Sequence, residues 1–328
     1  MAYKDSRSRM PINPVISIED LSISIDLAAE AVMPVHGVSL AIEQGQTVGL
    51  VGESGCGKSL TCLAVLGLLR NPVRMTDGRI VLHGRDLMDP AERAFRHQQI
   101  GMIFQNPLSC LNPVRTIGWQ VAEAYRLRTG ASMRVAKREA VGLLARVGIP
   151  EAARRARDYP HQLSGGMNQR AMIAMAIAGS PALLIADEAT TALDVTVQAQ
   201  ILALLKELQS EFGMAMLFVT HNLGLVAEIA GRVAVMYAGR VVEEGPAERV
   251  FASPRHPYTA GLLACLPLVD EDIDRLQPID GIVPPLTAMP GGCAFTPRCS
   301  YARGACGIRP PPLENGVACY RPLMEQAA

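Results

Sequence analysis

Three groups of residues in this 328-residue chain have types and spacings that could do chemistry. The first is Gly52-Glu53-Ser54-Gly55-Cys56-Gly57-Lys58-Ser59-Leu60, which follows the apolar run Thr47 to Val51 and opens a helical pattern over Lys58 to Arg70. Glycines let successive backbone N–H groups turn inward around an anion, and a helix N-terminus adds the positive end of its dipole. Lys58 would then reach the β- and γ-phosphates of a nucleotide, and Ser59 would hold Mg²⁺. A chance Gly-Lys-Ser loop needs neither a strand before it nor a helix after it, and this one has both.

The second group is two short motifs. Leu183-Leu184-Ile185-Ala186-Asp187-Glu188 is an apolar strand ending in two carboxylates: Asp187 suits a Mg²⁺ shell, and Glu188 suits a base for an attacking water. Taken alone, such a pair is as often a solvated turn. Leu163-Ser164-Gly165-Gly166-Met167 stands just ahead of a helical run over Gln169 to Ala178, with Ser164 fit to cap it. Glycines at a helix N-terminus make a second anion cradle, although an ordinary capped helix reads the same way. The third group is Cys293, Cys299, Cys306 and Cys319, crowded into 27 residues near the end. Cys56, Cys62, Cys110 and Cys265 are scattered and read as small buried hydrophobes.

Strand patterns at Val15–Ile25, Val38–Ile42, Thr47–Val51, Arg79–Leu82, Ile100–Phe104, Ala182–Ala186, Met214–Thr220 and Arg232–Tyr237 alternate with helices, the mark of an α/β sheet. Between Pro107 and Ser180 the pattern turns helical, with Trp119–Arg126 and Met133–Val147 apolar at three-to-four spacing. From Pro246 the composition shifts to Pro, Gly and Cys, including Pro310-Pro311-Pro312. The expected organisation is a tail over 1–14, a nucleotide-binding domain over 15–245 with a helical subdomain at about 107–180, and a loop-rich extension over 246–328. No tandem repeat is present, so one nucleotide-binding unit is expected.

Thirty-one basic residues balance thirty-one acidic ones, so the bulk charge carries no nucleic-acid footprint, and 49% hydrophobic content supports a core. The N-terminus lacks an apolar signal region, which predicts a cytoplasmic chain. The longest uncharged apolar stretch, Ala171 to Ala186, is broken by Gly179-Ser180-Pro181 and falls short of the roughly 20 residues of a membrane helix. Any membrane connection is expected through partner subunits.

In this order and spacing the chain resembles the ABC ATPase family, whose signature is LSGGQ. Gln105 matches that family's Q-loop glutamine, Asp194 in Ala192-Leu193-Asp194 its D-loop, and His221 its switch histidine. The resemblance implies a P-loop ABC nucleotide-binding domain, with a RecA-like core, an antiparallel β lobe and a helical subdomain. It implies Glu188, His221 and Gln105 in catalysis, with Ser59, Gln105 and Asp187 around Mg²⁺. It also implies a dimer holding two ATP molecules, each between one subunit's Lys58 and the other's Ser164, Gly165, Gly166 and Met167. Three departures stand out: no aromatic residue lies in Leu21–Glu30 to stack on adenine, Ala189 replaces a proline, and Asn168 replaces a basic residue.

His256-Pro257-Tyr258-Thr259 with Leu262-Leu263, Pro290-Gly291-Gly292-Cys293, Pro297-Arg298-Cys299 and the run Ala192 to Gln200 resemble the oligopeptide and dipeptide importer ATPases, a group that also serves nickel and glutathione. That implies a peripheral subunit on the cytoplasmic face of the inner membrane. Its implied partners are two transmembrane permeases, a solute-binding protein and a second ATPase, either a different chain or a second copy. The rival reading is a soluble ABC ATPase of translation or DNA repair, a class that usually carries two cassettes or a long coiled coil.

Four thiols in a compartment that disfavours disulfides form the ligand set of a tetrahedral Zn²⁺ or an iron-sulfur cluster. The gaps of five, six and twelve residues lack tight Cys-x₂-Cys pairs, which suits a [4Fe-4S] cluster, and the importer resemblance implies the same. Zinc and four free thiols are the alternatives. The segment is expected to be too poor in apolar residues to fold without a staple, and to lie away from the ATP chemistry.

Overall fold

Residues 14–27, 30–189, 194–265 and 279–323 are described by the structure, a computed structural model. In chain order, β1 (Ile16–Asp26), β2 (Ala31–Ile42) and β3 (Thr47–Val51) lead into α1 (Lys58–Leu66), followed by β4 (Val73–Leu82) and the two-residue β5 (Arg85–Asp86). Helix α2 (Arg93–Gln99) precedes β6 (Ile100–Ile103). Only helices follow as far as Ile177: α3 (Pro107–Cys110), α4 (Ile117–Thr129), α5 (Met133–Arg146), α6 (Ala152–Arg155) and α7 (Gly165–Ile177), with one 3₁₀ turn among them. Then come β7 (Leu183–Asp187), α8 (Val195–Phe212), β8 (Ala215–Thr220), α9 (Leu223–Ile229), β9 (Arg232–Tyr237), β10 (Arg240–Pro246), α10 (Ala247–Ala252) and α11 (Pro257–Ala264).

The chain divides into two compact units. One comprises the chain up to Ala41, Thr47–Gly84 and the described chain from Thr220 onward; the other comprises Ile42–Gln46 and Arg85–Val219. In the first unit β1 and β4 pair antiparallel from Ile16↔Leu82 to Ile25↔Val73. This is the expected antiparallel lobe, with β2 on the other side of β1. In the same unit β3 runs parallel to β9, Val48 opposite Arg232, and β10 returns antiparallel to β9. All five residues of β3 are buried, as a parallel strand covered on both faces requires.

In the second unit β6, β7 and β8 run parallel, with Ile100↔Leu183 and Leu183↔Ala215 in register. Both β7 and β8 are buried at every residue. Helix α5 buries Ala136, Ala140, Leu143 and Leu144, the three-to-four spacing that marks one apolar helix face.

Helix α1 ends four residues earlier than its apolar pattern suggests. Gly67 takes a left-handed conformation, φ 63°, and its N–H caps the carbonyls of Leu63 and Ala64. Strand β10 and helices α8 to α11 carried no predicted element. Among the described residues no helix is long and apolar enough to cross a membrane.

The C-terminal extension belongs to the first unit and packs on β9 and β10. The Ala318 N–H donates to the Val242 carbonyl at 2.8 Å, and the Glu244 N–H donates to the Gly316 carbonyl at 2.8 Å, so the chain end is stitched along β10. Phe295, 3% exposed, packs its ring 5.2 Å from Tyr237 and 5.5 Å from Tyr258.

Candidate nucleotide site and its C-terminal brace

The glycine-rich loop is built as its sequence demands. Gly57, φ 104°, is the N-cap of α1, and a Cβ there would stand 2.7 Å from the Pro34 carbonyl oxygen. Glycine is therefore required by conformation and by space. Gly57 has no side chain to cap α1, so the first N–H groups of that helix are left for a ligand. Gly55, φ 80°, faces open space, and Ser59 is exposed at the head of the helix. Lys58 is only 5% exposed, and its ammonium donates to the carbonyls of Gly52 at 2.7 Å and Glu53 at 3.0 Å. Cys56 lies beneath it, Sγ 3.6 Å from Nζ; burial pushes this thiol's pKa up despite the lysine. Glu53, Ser54 and Leu60 complete the loop with part or all of their surface accessible.

In the second unit the strand-end carboxylates divide by environment. Asp187 is 7% exposed at the end of β7. Glu188 is half-buried and left-handed, φ 48°, with its N–H donating to the Val219 carbonyl at 2.8 Å. A non-glycine residue held at positive φ is strained, and such residues gather at functional sites. Gln105, exposed just beyond β6, donates its amide to the Glu188 carboxylate at 2.5 Å, so two candidate residues 83 positions apart meet.

The Ser164 hydroxyl caps α7, accepting the Met167 N–H at 3.3 Å, as its sequence position predicts. Ser164 and Gly165 are exposed, and Gly166 and Met167 are half-buried. The neighbouring Gln169 reaches the Ala189 carbonyl at 2.6 Å, tying the head of α7 to the residue after Glu188. Asn168 is 2% exposed and donates to the Pro160 carbonyl at 2.9 Å. A basic side chain there would have to escape this buried position or lose its hydration. Asp194 is exposed and caps α8 by accepting the Val197 N–H at 2.9 Å, while Ala192 and Leu193 lie outside the described residues. His221 is exposed between β8 and α9 in the first unit.

Oxygen donors suit Mg²⁺: within the first unit Ser59 offers a hydroxyl, and within the second Gln105 offers an amide oxygen and Asp187 a carboxylate. The loop's glycines and the uncapped start of α1 likewise suit a polyphosphate.

The C-terminal segment was expected to lie away from this loop, and the structure corrects that. Arg298 donates to both carboxylate oxygens of Glu53, at 2.9 and 3.1 Å, and its side chain is 5% exposed. Burial opposes the guanidinium charge, but hydrogen bonds to Glu53 and Tyr237 outweigh it and hold its pKa up. The Tyr258 hydroxyl, on a fully buried ring, accepts the Glu53 N–H at 2.9 Å. The His-Pro-Tyr sequence builds this contact: His256 caps α11 by accepting the Tyr258 N–H at 3.0 Å, and Pro257 stands in the first turn. The fully buried Glu243 carboxylate accepts the N–H groups of Arg255 and His256, both at 2.9 Å, and fixes the entry to that helix. Residue-type reasoning missed Arg298 and Tyr258 as loop contacts. Their only signal was the pair of motifs that contain them.

Cys293, Cys299, Cys306 and Cys319 line one small cavity together with His256, Phe295 and Tyr320. Burial raises the pKa of Cys293, Cys299 and Cys319, and each also feels other thiols of the quartet. Four thiols converging in this way match the donor set of a zinc or iron-sulfur site. As they stand, no three His, Cys, Asp or Glu side chains among the described residues are arranged to hold a metal ion. Of the scattered cysteines, Cys56 and Cys62 are buried as expected, but Cys110 is exposed and Cys265 half-buried, each at the end of a helix.

Residues 35–191 match the ABC transporter family, and residues 242–306 match the C-terminal region of oligopeptide/dipeptide transporters. A peptide import ATP-binding protein of Brucella abortus (strain 2308) is 51% identical over 95% of this chain and 98% of its own. The dipeptide transport ATP-binding protein DppD of Escherichia coli (strain K12) is 46% identical over 94% of this chain and 97% of its own. Among solved structures, the dimeric ATP-binding cassette MJ0796 in a post-hydrolysis state with ADP and Pi aligns with a TM-score of 0.63 at 27% identity. The alignment spans 71% of this chain and 98% of the cassette. The chain belongs to the ABC transporter family.

Proposed function

We propose that this chain is the ATP-hydrolysing subunit of an importer of dipeptides, oligopeptides or similar small solutes. The observation that carries this reading is the pairing, in one chain, of a phosphate-type loop with a C-terminal region of oligopeptide/dipeptide transporter kind that grips that loop through Glu53. Near-full-length likeness to named peptide and dipeptide import ATP-binding proteins supports the cargo class.

Lys58 and the N–H groups from Gly55 to Ser59 bind the nucleotide phosphates; Ser59, Gln105 and Asp187 would hold Mg²⁺, which would supply charge neutralisation at the phosphates. Glu188 takes the proton of the attacking water, and the contact with Gln105 makes its carboxylate responsive to the Q-loop. His221 supports the reacting phosphate end. Ser164, Gly165, Gly166 and Met167 serve the ATP of a second subunit, and Asp194 lies at the junction between them. Lys58 must leave the carbonyls of Gly52 and Glu53 to reach a phosphate, so nucleotide entry swings this side chain.

The domain division proposed is 15–245 for the ATPase, with its helical subdomain at about 107–180, and 246–328 for the extension. The subunit works peripherally on the cytoplasmic face of the inner membrane, with two permeases, a second ATPase and an external solute-binding protein. The four C-terminal cysteines would hold a [4Fe-4S] cluster, with zinc as the alternative metal. That reading rests on the donor set and the shared cavity, not on the thiols' present arrangement.

The test is reconstitution with the permeases in proteoliposomes. Uptake of a labelled peptide that requires ATP on the side of this subunit supports the proposal; ATP hydrolysis unaffected by permeases and peptide would refute it.

A further inference from the structure

Glu53 is held at three points within one compact unit. Its carbonyl accepts from Lys58 Nζ at 3.0 Å, its N–H donates to the Tyr258 hydroxyl at 2.9 Å, and its carboxylate takes both arms of Arg298. Two of these partners come from beyond residue 250, more than 200 positions away in sequence. Neither is free to drift. The Tyr258 ring is fully buried, 4.6 Å from Tyr237, and the Arg298 side chain is 5% exposed. Arg298 also donates to the Asp280 and Ile279 carbonyls, at 3.0 and 3.3 Å. The guanidinium therefore sits in a socket with the Glu53 carboxylate as its one full counter-charge among the bonds described.

We propose that Arg298 and Tyr258 are positioning residues of the nucleotide site, which hold the phosphate loop in its binding shape by gripping Glu53 from the C-terminal extension. The inference rests on the reading of Gly52 to Ser59 as the phosphate loop. Its physical basis is preorganisation. A glycine-rich loop has many conformations, and only a few point its N–H groups inward. A loop fixed at Glu53 loses less freedom when phosphate binds, so affinity rises without any new contact to the ligand. Arg298 stands one residue before Cys299, so the extension that carries the four thiols also carries the brace.

The fold makes a specific prediction about ligands. A brace on the phosphate loop acts on groups that the loop holds, so ATP and ADP are affected and AMP, which lacks the β-phosphate, is not. General damage to the protein would weaken all three.

The experiment is equilibrium titration of the full chain with ATP, ADP and AMP. The variants are Arg298→Met, Arg298→Lys, Tyr258→Phe and Glu53→Gln, with Lys58→Ala as the control for the site itself. Folding is checked by far-UV circular dichroism. Arg298→Met is expected to weaken ATP and ADP about tenfold, AMP less than twofold, and Arg298→Lys to recover at least half of the loss on a logarithmic scale. If Arg298→Met does not fold, Glu53→Gln breaks the same ion pair from the loop side and is expected to give the same pattern. Tyr258→Phe is expected to give a smaller loss of the same kind. Wild-type ATP affinity in folded Arg298→Met or Glu53→Gln, with Lys58→Ala inactive in binding, overturns the brace and leaves the site reading intact. So does a loss shared equally by AMP. Wild-type affinity in Lys58→Ala overturns the site reading itself.

Discussion

Arg298 and Glu53, 245 positions apart in sequence, form a two-pronged ion pair that joins the four-cysteine segment to the glycine-rich loop. Such bidentate pairs fix orientation as well as charge, because a planar guanidinium matches a carboxylate in one geometry. The extension is thus a structural part of the loop's own unit.

The aromatic cluster behind that ion pair should be the main source of the extension's stability. Phe295 is 3% exposed against Tyr237, Tyr258 and His256. Phe295→Ala is expected to cost about 3–5 kcal/mol, the usual loss for a buried phenylalanine, and to expose residues 279–323 to protease before the rest of the chain. Urea unfolding with limited proteolysis measures both.

His256 makes stability depend on pH. Burial lowers its pKa from 6.5 to about 4, so the native state keeps it neutral where the unfolded chain binds a proton. The stabilisation is complete above pH 6.5 and falls as pH drops toward 4, by roughly 3 kcal/mol in all. Its Nδ1 also caps α11, so His256→Asn keeps an acceptor without a titrating group. Urea midpoints of the variant should vary less with pH between 6.5 and 4 than those of the wild type; an identical slope contradicts this account.

The cysteine quartet is decided by metal analysis. Anaerobically purified protein is expected to contain about four iron atoms and about four labile sulfides per chain, with Cys319→Ser lowering both. Zinc without iron, or neither metal, removes the cluster from the account.

Ser164→Arg should act on the other subunit. A bulky cation at the exposed head of α7 is expected to block the ATP of the opposite subunit while nucleotide still reaches this chain's Lys58. Photolabelling of each subunit with an azido-nucleotide reads this directly. Loss of label on this chain alone would exclude the head-to-tail arrangement.

Local chemistry made much of the fold legible in the sequence. Thr47 to Val51 and Arg232 to Tyr237 emerge with the predicted bounds, because buried parallel strands are short continuous apolar runs ended by glycine or a turn. The Ser164 cap and the loop before Lys58 were equally readable, since each depends on residues within a few positions of one another. Helix α8 was hidden behind its β-branched opening at Val195, Thr196 and Val197, although Ile201, Leu202, Leu204, Leu205 and Leu208 form a clear buried face. The contacts of Glu53 with Tyr258 and Arg298 were not legible at all. Long-range pairing of a buried cation leaves no local pattern in the sequence.

The most direct test of the ATPase account is Glu188→Gln in the reconstituted transporter. Glu188 is held at the end of β7 with Gln105 against its carboxylate, and the substitution removes the proposed proton acceptor while leaving Lys58, Ser59 and Asp187 in place. The account predicts that ATP still binds and accumulates in a closed dimer, while hydrolysis falls at least about a hundredfold and peptide uptake stops. Hydrolysis near the wild-type rate in that variant would contradict it.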